Sequence, residues 1–175
     1  MDPIILIGQE APHFQLTDLR GAVISLSRMY GWIIVLNFWS AECEWCERVD
    51  YELMGILDTW KEYVKVLWIA SNANESRDLI ERVANRRDLP TVLIDERQVV
   101  ANLYGAETTP HFFVVNSKGI LAYQGAWDDI SFRQRAATQV FVPNVVEALI
   151  QNVTPQINQT PPYGCALMRY SDSND

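Results

Sequence analysis

Residues Asn37–Asp50 read NFWSAECEWCERVD, with Cys43 and Cys46 separated by two residues directly after an apolar run. Trp32 to Trp39, WIIVLNFW, is nearly all apolar, as a central strand buried on both faces requires. From Cys43 to about Tyr63, the residues Val49, Leu53, Ile56, Leu57 and Trp60 recur at three- and four-residue steps, which predicts a helix. A strand ending in a cysteine-bearing turn, with a helix starting there, points unpaired backbone N–H groups at the sulfur. Their partial positive charge stabilises the thiolate, the reactive form of cysteine. The second cysteine, one helical turn on, can close a disulfide with the first. The stretch therefore predicts a strand, a helix and a dithiol that cycles.

Outward from this stretch the chain alternates. Val64–Ala70 (VKVLWIA) predicts a second strand, and Asn74 a cap for a helix running to Arg87 with Leu79, Ile80 and Val83 inward. Thr91–Ile94 predicts a third strand, followed by a short helix with Val99, Val100, Leu103 and Tyr104. Upstream, Phe14–Leu16 and Val23–Leu26 flank Asp18-Leu19-Arg20-Gly21 as a hairpin. Downstream, Phe112–Val115 and Ile120–Tyr123 form a second hairpin around Asn116-Ser117-Lys118-Gly119. Pro143 suits the first residue of a closing helix that carries Val145, Val146, Leu149 and Ile150. After Asn152 the chain is rich in Pro, Gln, Asn and Thr, and no regular structure is expected. Apolar residues return around Cys165 in PPYGCALMRY, so this tail is expected to dock. The division is a domain over 1–152 and an irregular tail over 153–175 packed upon it. The order predicts an α/β fold with a mixed central sheet and helices on both faces. The active site is then expected at the carboxyl end of a central strand, where Cys43 lies.

Composition narrows the function. A net charge of -8 over 175 residues argues against nucleic acid, whose phosphates require a basic face. No apolar run approaches the ~20 residues of a membrane span. The N-terminus, MDPIILIGQE, carries an acidic residue where a signal peptide needs basic ones, which predicts a cytoplasmic protein. Three cysteines are too few for a secreted disulfide framework, and a CxxC beside βαβ patterning points to redox or metal chemistry. Zinc requires four ligands, and Cys43, Cys46, Cys165, His13 and His111 show neither a second CxxC nor an HxxxH. No metal and no cofactor are expected.

Several segments resemble the thioredoxin superfamily, in particular its redoxin and peroxiredoxin-like branch. GQEAPHFQLTDLRG resembles that branch's entry hairpin, NFWSAECEWC its strand and CxxC, and YGAETTPHFFVVNSKGILAYQGAWDD its cis-proline loop and last hairpin. The Gly-Cys of PYGCALMRY resembles a C-terminal signature of one peroxiredoxin-like subgroup. The resemblance implies a thioredoxin-like three-layer fold extended by an N-terminal β-hairpin. It also implies a cis bond before Pro110 that leaves the Thr109 backbone as an edge for a substrate strand. Three departures stand out. The CxxC lacks a proline, Glu42 replaces a common tryptophan, and Asn37 stands where thioredoxins keep a buried aspartate, leaving the proton acceptor for Cys46 unassigned.

Cys43, partly exposed at the helix start, is the expected nucleophile, and Cys46, deeper, the resolving thiol. Glu42, Glu44, Glu47, Asp50 and Glu52 surround the pair, with Arg48 the only nearby cation in sequence. Negative neighbours oppose a thiolate, which predicts a less acidic Cys43 and a reducing dithiol. Trp45, between the cysteines on an exposed turn, is a candidate substrate contact with Thr109 and Pro110, whereas Trp39 suits core packing. His111 is either a proton donor near the thiols or a strand residue facing away, and His13 suits the surface. Asp128 and Asp129 cap or turn the chain, or add acidity to the site. Cys165 is either a third redox centre or a buried anchor for the tail.

The expected function is a thiol-disulfide oxidoreductase acting on protein or small-molecule disulfides and needing an upstream thiol reductant. The alternative is a peroxidase, with Cys43 oxidised to a sulfenic acid and resolved by Cys46 or Cys165. Only half of the peroxiredoxin Pro-x-x-x-Thr-x-x-Cys loop survives, since Leu36 holds the Pro position and Ser40 the Thr position. A second alternative is a redoxin fold used as a non-catalytic binding module.

Overall fold

The computed structural model describes residues 5–171; the ends of the expected domain and tail, 1–4 and 172–175, lie outside the described residues. At its centre β3 (Ile33–Trp39) is buried at every position. It pairs in parallel with β4 (Val64–Ala70) and antiparallel with β7 (His111–Val115). β5 (Val92–Ile94) continues the parallel set beyond β4, and β8 (Leu121–Gly125) closes the other side antiparallel to β7.

The entry hairpin, β1 (Gln15–Asp18) and β2 (Val23–Ser25), belongs to the same sheet. β1 pairs antiparallel with β5, so the seven strands run β2-β1-β5-β4-β3-β7-β8. The sheet is mixed, and the fold is the thioredoxin-like α/β arrangement.

Alternation along the strands splits the core. Ile33, Val35, Trp39, Trp68, Phe112 and Val114 face α1 (Glu44–Trp60), α2 (Arg77–Arg86) and α4 (Phe141–Ile150). Ile34, Leu36, Phe38, Phe113 and Val115 face α3 (Val99–Tyr104), the N-terminal loop and Leu167 of the tail. Each fully buried large apolar side chain is worth about 1.5–3 kcal/mol, so both layers are firmly fixed to the sheet.

Among the differences from the sequence expectation, three concern the two helix starts and the tail. α2 is capped by Ser76, whose hydroxyl accepts from the Leu79 N–H at 3.2 Å, and not by Asn74. The residues before it are used otherwise, with the Glu75 carboxylate turned toward Ser40 and Ala41. α4 starts at Phe141, two residues before Pro143. Pro143 still falls in the first turn, where a missing N–H costs no helical hydrogen bond. The tail is not wholly irregular, because Cys165–Ala166 form β9, antiparallel to β6 (Thr108–Thr109).

Candidate functional site

β3 ends at Trp39, and the three residues Ser40, Ala41 and Glu42 turn the chain to Cys43, the N-cap of α1. The turn is held by Glu75, which accepts from the Ser40 hydroxyl and, at 2.9 Å, from the Ala41 N–H. Nothing in the local sequence marks Glu75, since it reaches the turn from the loop before α2. Cys43 has extended backbone angles and makes no side-chain cap, so the first amides of α1, at the positive end of the helix, are left without a side-chain acceptor beside it.

Cys43 and Cys46 lie one turn apart, as the spacing requires, and both are buried. Cys43 was expected to be partly exposed, but the tail covers it. Its sulfur is bonded to Cys165, with the two Cα atoms 6.2 Å apart, and Cys46 remains a free thiol. The Cys43 sulfur also lies 3.1 Å from the carbonyl oxygen of Thr109, the residue before a cis peptide bond to Pro110. Thr109, Pro110, Cys43, Cys46 and Cys165 therefore share one place. Trp45 sits on α1 rather than on an exposed turn, half-buried, with its ring edge-to-face against Tyr163 at 5.0 Å.

Beneath the bonded pair is a polar layer. The Ser40 N–H points at the Cys46 sulfur from 3.4 Å. Burial pushes the Cys46 thiol well above the ordinary thiol range; the Ser40 amide, the Thr109 hydroxyl and Arg87 oppose that shift, and Asp50 adds to it. Asp50 follows Cys46 by four residues on the same helical face and is itself buried. Its carboxylate accepts from the indoles of Trp39 (2.8 Å) and Trp68 (2.9 Å) and from the Arg87 guanidinium (2.9 Å). Burial raises its pKa, and these three donors oppose the rise.

Arg87 is the cation that sequence reasoning missed. It arrives from the end of α2 and also donates to the Ala41 carbonyl at 3.3 Å. Arg48, the cation expected near the thiols, is instead held by both oxygens of buried Asp128 at 2.9 Å and by Glu52 at 3.1 Å. Asp128 thus anchors α1 rather than adding free negative charge. Asn37, on the α1 side of β3, is fully buried and has no hydrogen-bond partner among the described residues. His111 is buried on the opposite face, 4.5 Å from the Phe113 ring, its Nδ1 accepting from the Glu107 N–H. It faces away from the thiols.

Residues 7–124 match the AhpC/TSA family. The chain belongs to that family. Among curated relatives of this AhpC/TSA protein, a thiol-disulfide oxidoreductase ResA of Bacillus anthracis is 33% identical over 119 residues, covering 67% of this chain and 68% of the relative. Among solved structures, an uncharacterized conserved protein from Geobacillus kaustophilus superposes with a TM-score of 0.88 at 25% identity, covering 99% of this chain and 95% of its own. A secreted Mycobacterium tuberculosis disulfide oxidoreductase, described as homologous to E. coli DsbE, has a TM-score of 0.56 at 23% identity over 62% of this chain and 79% of its own.

The cytoplasmic location expected from the N-terminus is corrected by these findings. Thiol-disulfide oxidoreductases of the ResA and DsbE kinds stand among the matches, and one of them is described as secreted. One acidic residue near the N-terminus does not fix a compartment.

Proposed function

We propose that the protein exchanges dithiol for disulfide with protein substrates through Cys43, with Cys46 as the resolving thiol. It is a thiol-disulfide oxidoreductase. The observation that carries the assignment of roles is the position of Cys43. Its sulfur lies at the mouth of α1, against the Thr109 backbone and one turn above a second thiol. With the tail displaced, Cys43 is the outer of the two sulfurs and Cys46 stays one turn deeper.

In the reduced protein the Cys43 thiolate attacks a substrate disulfide, forms a mixed disulfide and releases one substrate thiol. Cys46 then attacks the Cys43 sulfur, and the second substrate thiol leaves. Cys46 must lose a proton in a buried place, and Asp50, four residues on, is the carboxylate positioned to take it. Arg87 holds that carboxylate in place. Trp45, Thr109 and Pro110 form the contact surface beside Cys43, and an upstream thiol reductant returns the oxidised protein to its dithiol form.

Insulin reduction in the presence of dithiothreitol, run beside hydrogen peroxide consumption, tests the reading. Insulin reduction above background that is lost in Cys43→Ser supports it. Peroxide consumption without insulin reduction overturns it in favour of the thiol peroxidase. A bond from Cys43 to a tail cysteine is also what a peroxidatic cycle would leave, so the peroxide arm is needed.

A further inference from the structure

The edge offered by the Thr108–Thr109 backbone is occupied by the protein's own chain. β9 pairs with it in antiparallel register, Ala166 opposite Thr108 and Cys165 opposite Thr109. The segment is fixed on both sides of the cysteine. Before it, the Thr160 N–H donates to the Gln124 carbonyl at 3.1 Å, and Tyr163 stands on Trp45 while its hydroxyl accepts from the Phe132 N–H at 2.7 Å. After it, Leu167 N–H donates to the Glu107 carbonyl at 3.0 Å, and the Met168 carbonyl accepts from the Ala73 N–H at 2.9 Å. Gly164 lets the segment approach, because a β-carbon there would overlap the Thr109 carbonyl group, with its carbon 2.7 Å away and Pro110 Cδ at 3.0 Å.

We propose that Cys165 is a third exchanging sulfur, carried by a tail segment, Tyr163–Ala166, that sits in the place of a substrate strand. Resting on the exchange reading above, this makes the bonded tail the protein's own substrate. The Cys46 thiolate attacks the Cys43 sulfur, the Cys43–Cys165 bond breaks, the Cys43–Cys46 bond forms, and the Cys165 thiolate leaves. The proton given up by Cys46 is matched by the one Cys165 takes, and no external oxidant or reductant is consumed. The disulfide migrates between two positions, and an incoming peptide strand pairs with Thr108–Thr109 only when the tail has left it.

Disulfide mapping by mass spectrometry tests this. Trypsin leaves Cys43 and Cys46 together in peptide 29–48 and Cys165 in peptide 136–169. In the oxidised full-length protein the two peptides are expected to be cross-linked, with the crosslink retained in Cys46→Ser and replaced by an internal disulfide of peptide 29–48 in Cys165→Ser. Gly164→Ala, which leaves all three sulfurs in place, should lower the share of crosslinked relative to internal disulfide by about tenfold or more, because the added carbon meets backbone. An oxidised wild type with only the internal disulfide overturns the proposal, as does a Gly164→Ala protein with an unchanged share. Insulin reduction by these proteins and by Cys43→Ser separates the two readings. Its persistence in Cys43→Ser refutes the exchange assignment, whereas its loss there with an exclusively internal disulfide in wild type refutes only the role of the tail.

Discussion

The Asp50 carboxylate rests on the Arg87 guanidinium at 2.9 Å, four residues beyond Cys46 on α1. Two tryptophan indoles complete its shell, so a charge that burial disfavours is kept by three donors. Asp50→Asn keeps the shape and removes the charge, leaving the mostly buried Arg87 only its longer contact with exposed Glu47, at 3.9 Å. Loss of one member of such a pair costs about 3 kcal/mol, which a shift in the urea midpoint would register. The same variant should slow insulin reduction by about tenfold at neutral pH, with partial recovery as pH rises and solvent replaces the missing base. An unaltered pH–rate profile would remove Asp50 from the proton path.

With Cys43 bonded to Cys165, the oxidised protein holds a single free thiol, at Cys46, fully buried. Burial also holds that thiol protonated, and only a thiolate reacts readily. Titration with an aromatic disulfide reagent should therefore find Cys46 unreactive in the native oxidised protein, with any slow native reaction falling on Cys165 released by exchange, and one thiol per chain in guanidinium chloride. Fast native labelling of Cys46 would mean that its sulfur is open to solvent.

The elements flanking the site were legible because their patterns are local. β3 reads as a fully buried strand from seven consecutive positions, and α1 from the spacing of Val49, Leu53 and Trp60. Placing Cys43 at the junction of the two needs no tertiary information. Asp50 was visible only as one of five acidic residues, because its ion-pair partner comes from the end of another helix and its indole donors from two strands. β9 escaped for a similar reason, since a two-residue strand has no period and its pairing is decided by the loop it meets. His111 illustrates the opposite case. Alternation along β7 places it with Phe113 and Val115, away from the thiols, and that parity is written in HFFVV.

The tail also depends on Gly125 at the end of β8. Its φ of +145° lies in a region L side chains rarely adopt, and a β-carbon there would overlap Thr160, whose backbone nitrogen is 2.9 Å away. Thr160 accepts from the Ala126 N–H at 3.0 Å and bonds the Tyr123 hydroxyl, so it clips the tail to the sheet. Gly125→Ala is expected to destabilise the protein by about 1–3 kcal/mol. It should also raise hydrogen exchange at the Thr160 and Ala126 amides more than at β3, and uniform protection in the variant would show that the clip does not hold the tail.

His111 makes stability depend on pH with a sign set by burial. Its pKa is lowered from 6.5 to about 4 because desolvation disfavours the imidazolium, and its Nδ1 accepts the Glu107 N–H, which requires the neutral ring. Above pH 6.5 both folded and unfolded chains hold the ring neutral, and the group contributes no pH dependence. Between 6.5 and about 4 the unfolded chain binds a proton that the folded chain refuses, so stability falls as pH falls. The full effect approaches about 3 kcal/mol. His111→Gln keeps an acceptor for Glu107 and removes the titration. The difference in unfolding free energy between wild type and this variant should therefore shift against the wild type by that amount between pH 7 and pH 4, while carboxylates common to both cancel. A difference that stays constant across that range would mean the imidazole is open to protons in the folded state.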